Sequence, residues 1–171
     1  MRMILNLLVS ICLLSVSALS QERIRKGVVG PYGDQVRIVV ALIEPSQTSY
    51  KMQSMIIDVN PDKSGQPTSF LVDLTSTVRS LSTGEKIQKI LLLRWKKPGE
   101  IELRCDGKWV KQASGPALDN IVQATKAVIQ SVPLGSKTPT EVSLQEDIER
   151  KASSILDGLS TETLPCLRSL N

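Results

Sequence analysis

Histidine is absent from the 171-residue chain. Its absence removes the Ser-His-Asp and Cys-His nucleophile constellations, the paired-histidine zinc site of metalloproteases, and any side chain that ordinarily titrates near neutrality. Aromatic residues are almost as scarce. Tyr32, Tyr50, Phe70, Trp95 and Trp109 make up 3% of the sequence, too little material for the stacking platforms that hold single-stranded nucleic acid, so a nucleic-acid partner is not expected. There is no Asn-x-Ser/Thr acceptor for an N-linked glycan. A phosphate-binding loop is missing too. Gly27-Val-Val-Gly-Pro-Tyr-Gly33 has three glycines but neither the lysine nor the spacing of such a loop. Residues 21–34 are instead expected to form a flexible lead-in to the first strand.

Charge of one sign is not segregated into a tail. The formal net charge is +4, with both signs interleaved along the chain. Short basic runs occur at Arg23, Arg25 and Lys26 and at Arg94, Lys96 and Lys97. Such runs are ordinarily solvated strand edges, and together they could face an anionic surface.

What the sequence does have begins at its start. Arg2 precedes an apolar run from Ile4 to Leu14, and Ala18 and Ser20 follow as small residues at positions −3 and −1. This is the layout of a removable secretory signal over residues 1–20, cleaved before Gln21. A membrane span needs about 17 to 25 apolar residues, and this stretch is interrupted by Asn6, Ser10 and Ser15. No stable membrane insertion is expected after cleavage. Of the three cysteines, Cys12 would leave with the signal. Cys105 and Cys166 are then expected to pair in an oxidising, extracellular or periplasmic-type compartment.

The remainder divides near residue 113. Before it the pattern is that of strands: residues 35–44 hold a β-branched run stopped by Pro45, residues 50–59 a second run, residues 68–74 a third, and residues 86–95 a strand apolar on both faces. Asp106-Gly107 is a two-residue type I′ hairpin signal, because both residues tolerate the positive φ the turn requires. It sets Cys105 opposite Lys108, Arg104 opposite Trp109, Leu103 opposite Val110 and Glu102 opposite Lys111. Ile101, Leu103, Cys105 and Val110 should then face the core, and Glu102, Arg104, Trp109 and Lys111 the other side. After residue 113 the period becomes helical. Leu118, Ile121, Val122, Thr125, Val128, Ile129 and Val132 share one stripe behind Pro116. Leu144, Ile148, Ala152, Ile155 and Leu159 share another behind a capping box of Ser143 and Glu146. The expected fold is one α+β domain over residues 35–171. In it, an antiparallel or mixed sheet of about five to six strands is followed by two C-terminal helices packed on it, joined to the tail by one disulfide.

Function is read by elimination. No catalytic residue, metal ligand or cofactor is assigned. Asp58, Asn60 and Asp62 have the spacing that opens a calcium loop but lack its glycine and terminal glutamate. The first expectation is a secreted, non-catalytic interaction protein: an extracellular ligand, an inhibitor, or an effector acting on a host protein. Its candidate surface is Trp109, Arg104, Lys111 and Trp95. The second is a carrier of a small apolar ligand between sheet and helices, lined by Met52, Met55, Phe70 and the apolar stripes of the two helices. The third is a hydrolase using two carboxylates drawn from Asp58, Asp62, Asp73, Glu100 and Glu102.

Overall fold

The computed structural model describes residues 24–171. The expected leader and its cleavage point lie outside the described residues. The strands are β1 (Ile24–Tyr32), β2 (Gln35–Pro45), β3 (Ser49–Pro61), β4 (Pro67–Ser80), β5 (Lys86–Lys97), β6 (Glu100–Cys105), β7 (Lys108–Gln112), β8 (Thr140–Val142) and β9 (Arg168–Leu170). The helices are α1 (Pro116–Gln130) and α2 (Glu146–Asp157). One sheet contains all nine strands in the order β7-β6-β5-β4-β3-β2-β1-β8, with β9 alongside β5. Every ladder is antiparallel.

β1 to β7 form a meander because each strand ends at a short turn. Asp106 and Gly107 take φ of 48° and 80°, as a type I′ turn demands, and the register between β6 and β7 is the one the turn dictates. Alternate residues of the long strands then line one face. Ile38, Val40, Met55, Ile57, Val72, Leu74, Leu91, Leu93 and Leu103 are buried there. Onto that face both helices settle. Helices of 15 and 12 residues are marginal alone, so docking of their apolar stripes holds them. The α1 stripe from Leu118 to Ile129 is buried, as is Val132 just beyond the helix, and Thr125 satisfies its hydroxyl on the Ile121 carbonyl at 2.7 Å. On α2 the buried residues are Ala152 and Leu156, followed by Leu159.

A polar strap fixes the end of α2. Gln53, buried within the sheet, donates to Asp157 Oδ1 at 2.8 Å, Lys51 pairs with the same carboxylate, and Lys89 Nζ reaches the Leu159 carbonyl at 2.7 Å. Cys105 and Cys166 are joined, tying the end of β6 to the tail that carries buried Leu164 and Leu167.

Several expectations are corrected. Residues 24–32 are not a flexible lead-in but strand β1, because the pairing of β2 continues onto it from Tyr32 back to Ile24. The strands beyond the expected number are β1 and the three-residue β8 and β9, too short to show periodicity. α2 starts at Glu146 with Gln145 at its N-cap and no side-chain cap. The chain just before Ser143 is held in β8, so Ser143 leaves a strand instead of opening a helix. Val110 is 41% exposed, because β7 is the edge of the sheet.

Candidate functional site

Among the described residues no helix lies on the face of the sheet opposite α1 and α2, and charged side chains stand on it. One row crosses six strands: Arg37 on β2, Asp58 on β3, Leu71 on β4, Arg94 on β5, Glu102 on β6 and Lys111 on β7. Each member stands there because its strand neighbours point into the core. Arg37 holds Asp58 by two parallel hydrogen bonds of 2.6 and 2.8 Å, and its guanidinium stacks 3.4 Å from the centre of the Tyr32 ring. The hydrogen bond to Asp58 raises the Arg37 pKa further above its ordinary value. Glu102 accepts from Lys96 Nζ and from Arg94 Nη1, each at 3.2 Å. The Lys96 hydrogen bond is the main cause that holds the Glu102 carboxyl below the ordinary range, with the charges of Lys96 and Arg94 acting in the same direction.

Trp109 lies half-buried at the β7 end of this face. The Arg94 guanidinium is 4.0 Å and that of Arg104 5.6 Å from its ring centre, so the ring sits beside two cations. Arg104 and Lys111 are exposed and have no acidic partner among the described residues. Lys111 stands opposite Glu102, but that carboxylate is taken by Arg94 and Lys96. Lys26 and Arg168 add charge along the same face.

Three of the four expected surface residues therefore share this face: Trp109, Arg104 and Lys111. Trp95 does not join them. It is on the covered side, 8% exposed, stacked on Phe70 with ring centres 5.2 Å apart and capped by Lys126 Nζ at 4.2 Å. Its packing role follows from alternation through Leu91 and Leu93, which the apolar residues on both sides of β5 obscure in the sequence. Reasoning from sequence missed Arg37 and Tyr32. The signal for Arg37 was its place as the polar interruption of the run Val36-Arg-Ile-Val-Val-Ala-Leu-Ile43.

The acidic residues are used elsewhere. Asp58 is paired with Arg37, Asn60 accepts from Gln35 and donates to Ser69, and Asp62 Oδ1 accepts backbone N–H groups of Ser64 and Gln66 in its own turn. The Ser64 hydroxyl, followed by the Gln66 N–H, lowers the Asp62 pKa. No group of His, Cys, Asp or Glu among the described residues could hold a metal ion. Asp73 accepts from Thr75, and Glu100 faces Lys97 at 3.6 Å. A cleft of about 240 Å³ beside Glu100 contains no second carboxylate.

The three sheet residues expected to line a sheet–helix cavity do not come together. Met55 and Phe70 are packed in the core, and Met52 is on the open face. A cleft of about 670 Å³ lies between α1 and α2, lined among others by Ile121, Ala124, Ile155, Leu164, Lys126 and Lys151. No family model, curated protein or solved structure matches the chain.

Proposed function

We propose that the chain is an exported, non-catalytic binding protein whose open sheet face docks on an extracellular or host protein presenting acidic groups around an apolar contact. The observation that carries this reading is the half-exposed Trp109 beside Arg94 and Arg104, on the sheet face opposite α1 and α2. Trp and Arg are the residues most often found as energetic anchors of interfaces. Cations outnumber acids on this face, and Asp58 and Glu102 are neutralised within it. The remaining charge favours an acidic partner by complementarity and steering. Export is supported by the sequence of residues 1–20 and by the Cys105–Cys166 disulfide.

The test is capture of a partner from extracellular fractions of the source and of any host, with wild type and a Trp109→Ala/Arg104→Ala variant side by side. Loss of capture at unchanged thermal stability is the expected result. Equal capture by both proteins would remove the open face from the interaction. Export is checked by the intact mass of the secreted product, which should begin at Gln21.

A second reading rests on the interhelical cleft. Its volume lies in the range of small-molecule sites, about 300 to 1,000 Å³, and its lining of apolar side chains and lysines suits an amphiphile with an anionic head. Displacement of a fluorescent fatty acid, abolished by Ala124→Trp, would establish it.

A further inference from the structure

Three of the large apolar side chains that the described residues leave in water gather at one place. Val78, Leu81 and Ile87 stand at the tip of the β4–β5 hairpin, where Leu81 is 59% exposed. Val78 is directly opposite Ile87 on the helix-covered side. It is also opposite Lys51, which holds Asp157, the last residue of α2, so the helix ends in this row and leaves the pair uncovered. Met52 and Leu170, both exposed, occupy the neighbouring row on the open face.

The next row carries two cations. Arg79 is directly opposite Lys86, both are exposed, and neither has an ion-pair partner among the described residues. Like charges directly opposite in a ladder are destabilising, and an anion placed between them removes the repulsion. The tip is rigid. Ser80 N–H donates to the Glu85 carbonyl at 2.9 Å, and Leu81 N–H donates to Thr48 at 2.8 Å, so the β2–β3 turn braces it.

We infer that this tip is a contact site for an anionic lipid surface. Leu81, Val78 and Ile87 enter the boundary between headgroups and acyl chains, and Arg79 and Lys86 bind lipid phosphates. Apolar side chains flanked by cations are the chemistry of interfacial attachment, and clustered exposed apolar groups mark interaction sites. Residues 81–87 of this hairpin end are all exposed. A lipid boundary accepts such a wedge without a complementary pocket, which a protein partner would have to supply. The contact is peripheral, and no helix among the described residues is long and apolar enough to cross a membrane. It uses none of the residues around Trp109.

The experiment is cosedimentation of the purified protein with phosphatidylcholine vesicles, with and without phosphatidylglycerol. Binding is expected only to the anionic vesicles and should weaken as salt is added. Arg79→Gln/Lys86→Gln should weaken it about 25-fold, since each cation near an anionic surface contributes about fivefold. Leu81→Ser/Ile87→Ser should abolish it, and Trp109→Ala/Arg104→Ala should leave it unchanged. The substituted tip residues are exposed, so melting temperatures should match wild type and exclude unfolding as the cause. No binding to anionic vesicles, equal binding to neutral ones, or binding unaltered by the tip variants would each overturn the inference.

Discussion

At the scale of single residues, the open face is organised by carboxylates that are nearly buried and cations that are not. Asp58 keeps only 12% of its side-chain surface, whereas Arg37 keeps 34%. Arg37→Ala would leave the Asp58 charge desolvated without its bidentate partner. A cost of about 1–3 kcal/mol is expected, below the roughly 3–5 kcal/mol of a fully buried pair because water still reaches this one. The double variant Arg37→Met/Asp58→Leu should recover most of that loss, which urea denaturation would measure. Glu102 behaves differently because its partners bear on pH. Its folded-state pKa is depressed, so the unfolded chain binds the proton more readily. The stabilisation is fully present above the unfolded carboxylate value of about 4.3 and is lost as pH falls through the folded value. Acid titration of the urea midpoint should show this loss in wild type and a shallower slope in Glu102→Gln. An unaltered slope would deny Glu102 that role.

At the scale of elements, close approach decides what a strand can be. A Cβ on Gly27 would meet the Val142 carbonyl oxygen at 2.8 Å, and one on Gly30 would meet Pro139 at 3.0 Å. β8 can therefore lie against β1 only because those positions have no side chain. Gly27→Val should push β8 away while β1 keeps its ladder to β2. Hydrogen exchange should then accelerate at residues 140–142 and leave the central strands protected. The same glycines explain why β1 was illegible: glycine spacing alone reads as flexibility, and only the partner strand, more than a hundred residues away, shows what it accommodates. Elements with a local cause were legible. The Asp106-Gly107 turn fixes its hairpin register by its own dihedrals, and the α1 stripe is set by helical period. Trp95 was misplaced because the apolar stretch Ile90-Leu-Leu-Leu93 shows no alternation from which a face could be chosen. Arg104, Trp109 and Lys111 were placed on one face because the adjacent turn sets their parity.

At the scale of the whole molecule, the disulfide joins the last segment of the chain to the hairpin next to the proposed binding surface. Its partners are 61 residues apart, and the enclosed chain includes both helices. Constraining a loop of that size in the unfolded state stabilises the fold by about 4 kcal/mol in the chain-entropy description, a large share of the 5–15 kcal/mol typical of a domain. Leu159, Leu164 and Leu167 are buried and give the tail contacts besides the bond. Reduction should therefore lower global stability more than it alters the native fold. Urea denaturation with and without reductant should give a midpoint shifted down by an amount matching about 4 kcal/mol, with native far-ultraviolet dichroism retained in the absence of urea. Exchange at residues 168–170 should quicken on reduction, because the ladder of β9 on β5 is only three residues long, at Gln88, Lys89 and Ile90. If reduction instead leaves the midpoint in place, the buried leucines and not the covalent link hold the tail, and export into an oxidising space would no longer be needed for the fold to persist.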